Sequence, residues 1–441
     1  MPSWKLWFRR GVATFVVLIV CTAALCAAGL LPYFLAGYFS NITLLAVGAM
    51  VAFALVAWSS GWLGATIWRA NRRVKFASLF CGVLTTVFVI ALYITVLRPS
   101  PMTLADVPPA KVVPFENTRY WQLPSGPRIA YSEYDPPSGT VIKPTPILFL
   151  HGGPGLRVGQ YDLDFYSRLA VDGFRVYLFD QAGTGLSGSL PKLRDYSIKR
   201  SVEDVEAIRQ QIGSDKVIPV GFSWGSTLAA SYMAKYPDHV AKIIFYSPGP
   251  IWNYAQVDVD NSRGDAPEAS SDTPVLRLIS AGLLINRSEE AAQNLLPRRE
   301  AEELLMGPPS AFSTMVCKGD SSKLPPMLMP ASRSTLGDNP YASLKLLLGT
   351  LAPADDPHAI LRRNKTPAIV LFSECDFLAW SNALDYRKTL QNLKIFYIPR
   401  AGHLIQLEQP ELMMRVIRAF LLDQPDAIPP VSGDTDPRTL P

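Results

Sequence analysis

Ser223 lies in Gly221-Phe222-Ser223-Trp224-Gly225, a G-x-S-x-G spacing. Glycines flank such a serine because the turn is too tight for side chains, and the turn lifts the hydroxyl towards a reacting carbonyl. A bare G-x-S-x-G arises often by chance. Here a β-rich run, Lys216–Val220, precedes it and a helical stretch from Ser226 to Tyr236 follows it, which is the setting the spacing requires. An acyl-transfer serine also needs oxyanion donors, a base and an acid that orients the base.

The chain has four histidines, so the base follows by elimination. His151 opens His151-Gly152-Gly153-Pro154-Gly155. His239 lies in an exposed helix-to-strand connection, and His358 follows Asp355-Asp356-Pro357 in a segment without sheet periodicity. His403, in Ala401-Gly402-His403 just past the last β-rich run, is the one that satisfies the order Ser, acid, His at a strand end. For the acid, Asp376 lies a few residues beyond the run Ala368–Phe372; Glu374 and Asp385 are rivals. The oxyanion donors are assigned to the backbone amides of Trp224, the residue after the nucleophile, and Gly153, with Gly152 as the alternative.

These residues need a scaffold. Arg119–Leu123 and Arg128–Tyr134 alternate as strands around Pro124-Ser125-Gly126, a hairpin signal. Short apolar runs Pro146–Leu150, Arg175–Phe179, Lys216–Val220 and Lys242–Tyr246 then alternate with helical stretches Tyr161–Asp172, Ile198–Ile212 and Ser226–Tyr236. Continuous apolar strands between amphipathic helices imply a mostly parallel sheet with helices on both faces. The alternation breaks over 249–364, which contains helical pieces such as Pro297–Met306 and reads as a helical cap. It resumes with Ala368–Phe372, Lys394–Ile398 and a helix from Pro410 to about Leu422. The expected organisation is therefore a core over 115–248 and 365–424, a cap over 249–364, and a proline-rich, disordered tail over 425–441.

The chain is 441 residues long with a net charge of +5, and most of its apolar excess lies before Arg98. Three uncharged apolar runs, Gly11–Leu31, Ile42–Trp68 and Phe76–Leu97, each reach the roughly 20 residues a membrane span needs. Lys5, Arg9 and Arg10 precede the first, and Arg69, Arg72, Arg73 and Lys75 separate the second from the third. The positive-inside rule then places the N-terminus in the cytoplasm and everything after Arg98 on the far side. A cleaved signal peptide at the first run competes with this, but it would leave an even number of spans against the loop charges. No acidic, basic or histidine side chain lies within the runs, which favours an anchor over an ion path. The expectation is three transmembrane helices over 1–98, in contact with membrane lipid, and a linker over 99–114.

No basic stripe interleaved with aromatics suggests nucleic-acid binding. Of five cysteines, only Cys317 and Cys375 lie outside the apolar runs. They show no metal-ligand spacing, and both one bridge and two free thiols are compatible with them. No metal and no cofactor is expected.

His151–Gly155, Asp180-Gln181-Ala182-Gly183-Thr184-Gly185-Leu186-Ser187, Gly221–Ser226, Ser373–Asp376 and Gly402-His403 together resemble the proline iminopeptidase group of the α/β-hydrolase superfamily. The resemblance covers roughly Arg119–Pro250 and Thr366–Leu422. It implies the α/β-hydrolase fold and a serine peptidase or esterase acting on a peptide or small acyl substrate. Two features depart from the group. Ala182 stands where arginine is usual, and the cap glutamates that receive the substrate amine have no clear counterpart. Glu300, Glu302 and Glu303 are the nearest, with a spacing that reads as a solvated helix face.

Overall fold

The computed structural model describes residues 42–67, 112–253, 275–306, 313–324, 339–351 and 355–439, with isolated positions elsewhere. Packing divides it into two units, Met1–Asp106 with Asp272–Glu300, and Val107–Ser271 with Ala301–Pro441.

The first unit contains a 26-residue helix, Ile42–Ile67, and the helices Val275–Leu284 and Glu289–Leu295. Ser288 caps the last of these by accepting from the Ala291 amide at 3.3 Å. Among residues whose side chains are described, no helix is long and apolar enough to cross a membrane. By sequence, all 26 positions of Ile42–Ile67 are uncharged. The other expected spans, Gly11–Leu31 and Phe76–Leu97, lie largely outside the described residues, as does the linker up to residue 111.

The second unit is built on an eight-stranded sheet: β1 Thr118–Gln122, β2 Arg128–Tyr134, β3 Ile147–Leu150, β4 Val176–Phe179, β5 Ile218–Phe222, β6 Ile243–Tyr246, β7 Ala368–Ser373 and β8 Leu393–Ile398. Their order is β1-β2-β4-β3-β5-β6-β7-β8. β1 and β2 form the expected antiparallel hairpin, β2 pairs antiparallel with β4, and the remaining pairs are parallel. Every residue of β3 to β7 is buried, which is why these strands read as continuous apolar runs rather than alternating ones.

The crossover helices follow their sequence signals. Ile198–Ile212 begins at Ser197, whose hydroxyl accepts from the Arg200 amide at 3.2 Å, and ends at Gly213 with φ +72°. The stretch Tyr161–Asp172 resolves into an α-helix, Gln160–Tyr166, and a 3-10 segment, Ser167–Asp172. Between β6 and β7 the described elements are helical, including Arg298–Met306, Pro340–Leu351 and His358–Leu361. A helix between β7 and β8, Trp380–Thr389, had no clear signal, because its polar and apolar residues form no sustained face.

Two expectations are corrected. Glu300 is 2% exposed, so it does not belong to a solvated face. The tail from Pro425 is not disordered. Its described residues form no strand or α-helix, yet side chains and backbone of the core hold it. Lys394 Nζ lies 2.8 Å from Asp426 Oδ2, the Val431 amide donates to Ile395 O at 2.8 Å, and Trp380 Nε1 donates to Asp434 O at 2.8 Å.

Candidate active site

β5 runs to Phe222, two residues past its sequence limit, and delivers Ser223 directly into the helix Trp224–Lys235. Ser223 has φ +53° and ψ −117°, a conformation that costs a non-glycine residue about 1–3 kcal/mol and persists only where the surroundings impose it. Its amide donates to Tyr246 O at 3.1 Å, and its carbonyl accepts from the Gly249 amide at 3.2 Å. The flanking glycines are required by close approach. A Cβ on Gly225 would stand 2.0 Å from Leu150 O, and one on Gly221 would stand 2.6 Å from Gly225 O. Ser226 Oγ donates to Gly221 O at 2.8 Å and closes the turn.

The loop after β3 lies against this elbow. A Cβ on Gly152 would meet the Phe222 ring at 3.0 Å and Ser223 Cβ at 3.2 Å, whereas one on Gly153, at φ +126°, would meet Gly155 N at 2.4 Å. Gly152, the alternative donor, is therefore the loop glycine that packs on the serine. Trp224, whose amide heads the helix and has no intrahelical acceptor, is fully buried.

His151 organises the loop rather than reacting. Its Nε2 accepts from the Gln181 amide at 3.0 Å, and Gln181 Nε2 donates to His151 O at 3.0 Å. Burial pushes the imidazole down to about 4, so it is neutral at pH 7. Asp180 fastens the same loop from the other side. Its Oδ1 accepts from the Val158 amide at 2.9 Å and its Oδ2 from the Leu186 amide at 2.8 Å. Burial nevertheless raises its carboxyl to about 6. The Asp180–Ser187 segment is thus a structural turn that clamps the glycine loop.

His403 and Asp376 are brought together across the ends of β8 and β7. His403 Nδ1 and Asp376 Oδ1 are 2.9 Å apart, with side chains 3% and 0% exposed. The Leu378 amide donates to the same oxygen at 3.0 Å. Phe222 and Phe377 hold the imidazole, with ring centroids 5.0 and 4.5 Å away. Phe222 adjoins Ser223 in the chain, so one ring touches both the elbow and the histidine loop. The rival acids are employed elsewhere: Glu374 Oε2 accepts from the Arg400 amide at 2.8 Å, and Asp385 lies 3.1 Å from His358 Nε2. His239 pairs with Glu206 at 3.1 Å.

Sequence reasoning missed the residues that fix the histidine loop. Ser247 Oγ donates to His403 O at 2.8 Å, and Ser373 Oγ donates to Gly402 O at 2.7 Å. Glu408 Oε2 accepts from the Gly402 amide at 2.6 Å and the Cys317 amide at 2.9 Å. Cys317 and Cys375 form a disulfide, with Cα atoms 5.0 Å apart, so a covalent bond joins the 313–324 segment to the residue before Asp376. Ser247 directly follows β6 and Ser373 ends β7, and that place at a strand end was their available signal. Among the described residues no cluster of His, Cys, Asp and Glu could hold a metal ion.

The alpha/beta hydrolase fold family matches residues 145–273. The proline iminopeptidase of Heyndrickxia coagulans is 37% identical over 135 residues, which is 30% of this chain and 44% of that protein. That of Neisseria gonorrhoeae is 32% identical over 125 residues, 28% of this chain and 38% of that protein. The matched region thus spans less than half the length of either relative. The proline iminopeptidase of Saccharolobus solfataricus is 24% identical over 62% of this chain and 84% of its own length. Among solved structures, an esterase from Thermogutta terrifontis has TM-score 0.50 at 20% identity, covering 69% of this chain and 98% of that one. The epoxide hydrolase CorEH has TM-score 0.51 at 14% identity, with 69% and 98% covered. These two likenesses speak to the fold alone. The chain has the α/β-hydrolase fold and resembles the proline iminopeptidases.

Proposed function

We propose that the chain is a membrane-anchored serine hydrolase that cleaves an acyl bond with Ser223 as nucleophile, His403 as base and Asp376 as the orienting acid. The observation that carries this reading is the strained Ser223 elbow beside a buried His403–Asp376 pair. Asp376 accepts a hydrogen bond from the Nδ1–H of His403, which leaves Nε2 as the basic nitrogen. His403 removes the Ser223 proton as Oγ attacks the carbonyl carbon. The amide of Trp224, with that of Gly153 or Gly152, receives the oxyanion. Collapse of this intermediate passes the proton to the leaving amine or alcohol, and water then hydrolyses the acyl-serine by the reverse sequence.

The substrate class that the relatives support best is a peptide with a free N-terminal residue, proline foremost. An ammonium in a partly dry site requires a carboxylate partner. The second reading is an esterase or amidase, favoured by the absence of a recognisable cap glutamate motif. The anchor rests on the uncharged helix Ile42–Ile67 and the basic cluster Arg69–Lys75 that follows it. A Cys317–Cys375 disulfide fits a hydrolase domain on the oxidising, far side.

The test pairs a fluorophosphonate probe with two substrates, a proline amide with its amine free and the same amide acetylated. Labelling at Ser223 that vanishes in Ser223→Ala, with preference for the free amine, is expected. Wild-type labelling of Ser223→Ala would refute the nucleophile. Equal turnover of the two amides, or faster turnover of acyl esters, would move the assignment to an esterase.

A further inference from the structure

The C-terminal tail reaches the loop that carries Asp376. Its path is fixed by side chains of the helix Trp380–Thr389. Arg387 Nη2 donates to Val431 O at 2.8 Å, and Trp380 Nε1 donates to Asp434 O at 2.8 Å. Beyond them Asp436 and Arg438 form a local fork, with Nε and Nη2 of the arginine 3.0 and 2.7 Å from Asp436 Oδ2. The fork orients the guanidinium, whose Cζ lies 4.8 Å from the centroid of the Phe372 ring in β7. Its remaining nitrogen, Nη1, donates to the backbone carbonyl of Asp376 at 3.3 Å. The Arg438 side chain is 4% exposed although it lies three residues from the last residue of the sequence.

Ordering an arginine this fully costs side-chain entropy, and an exposed ion pair alone does not offset it. Three contacts together do: the fork, the ring face and the carbonyl. The carbonyl belongs to the residue whose carboxylate meets His403.

We propose that Arg438 is a positioning residue for Asp376, with the tail from Val431 to Thr439 acting as a strap that holds the acid loop against β7. The proposal rests on the triad reading above. The guanidinium fixes the backbone of Asp376, and that backbone sets where Oδ1 meets His403 Nδ1. A displacement near 1 Å in such an arrangement costs up to about a hundredfold in rate.

The experiment uses the full chain in detergent and measures the inactivation constants kinact and KI of a fluorophosphonate at Ser223. Arg438→Ala is expected to lower kinact roughly tenfold to a hundredfold with KI unchanged. Millimolar guanidinium chloride, but not urea, is expected to restore part of the loss, and Arg438→Lys to fall between. A wild-type kinact in Arg438→Ala, a loss confined to KI, or equal rescue by urea would overturn the proposal. If Arg438→Ala does not fold, Asp436→Ala releases the fork at a partly exposed side chain. The same fall in kinact supports the proposal, and a wild-type value overturns it. Absence of labelling at Ser223 in the wild-type chain would instead refute the hydrolase reading, and the strap with it.

Discussion

Protonation of His151 is expected to loosen the glycine loop in mild acid, by an amount the structure allows to be worked out. The imidazole is buried, its Nε2 accepts the Gln181 amide at 3.0 Å, and burial lowers it from 6.5 to about 4. A base whose folded value is depressed contributes stability that is fully present above 6.5 and is lost as pH falls towards 4. The full difference, 2.5 units at 1.36 kcal/mol each, is about 3 kcal/mol. At about pH 5 linkage gives a loss of about 2 kcal/mol. Asp162 and Asp180, raised by burial to about 7 and about 6, act with the opposite sign. The folded chain holds their protons more tightly, so between 3.8 and those values they add stability as pH falls.

The wild-type profile is therefore a sum, and a variant must separate its parts. His151→Gln keeps an acceptor for the Gln181 amide and removes the titration. Urea unfolding of both proteins between about pH 7.5 and pH 5 gives the difference, in which the shared aspartates cancel. That difference is expected to shrink by about 2 kcal/mol over the range. A pH-independent difference would refute the reasoning, as would an imidazole resonance for His151 that titrates near 6.5.

Further outcomes follow from the same geometry. Gly225→Ala places a Cβ 2.0 Å from Leu150 O, between two backbones that cannot move apart, and is expected to abolish soluble protein or probe labelling; ordinary expression with full labelling would contradict the packing. Asp376→Asn is expected to lower turnover by about 10⁴ while leaving unfolding midpoints unchanged, read from kcat and urea titration. Cys317→Ser is expected to cost about 4 kcal/mol in urea midpoints, since the bridge closes a separation of 58 residues. Peptide mapping of chain isolated without reductant should find the two cysteines joined; free thiols there would count against the far-side placement.

What could be read from the chain in advance was whatever a local pattern encodes. The buried strands β3 to β7 announced themselves because parallel strands covered on both faces have no polar alternation. Ser223 was legible because the elbow excludes side chains at both Gly221 and Gly225. His403 was legible because only four histidines existed to choose among, and the structure occupies the other three with Gln181, Glu206 and Asp385. The choice of Asp376 over Glu374 and Asp385 rested on loop length, and the three carboxylates do part company in space. Consecutive glycines look alike in sequence, and only the fold separates Gly152, which packs on Ser223 Cβ, from Gly153.

The illegible part has one physical character. Ser247, Ser373, Glu408 and Arg438 all act on backbone groups far away in sequence, the Glu408–Cys317 bond spanning 91 residues. A side chain that satisfies a distant carbonyl or amide needs no neighbour of a given type and leaves no periodicity. The tail shows the consequence. Proline and aspartate are what composition offers as signs of disorder, and composition is a statement about how much apolar surface a segment can bury by itself. Order here comes instead from donors the core already holds in place, Trp380 and Arg387, whose immobilisation the helix between β7 and β8 has borne. The tail therefore loses only its own chain entropy on docking, and a few side chain-to-backbone bonds at about 1 kcal/mol each can offset it. By that logic the order of the tail depends on Trp380 and Arg387 more than on any residue of its own before Asp436.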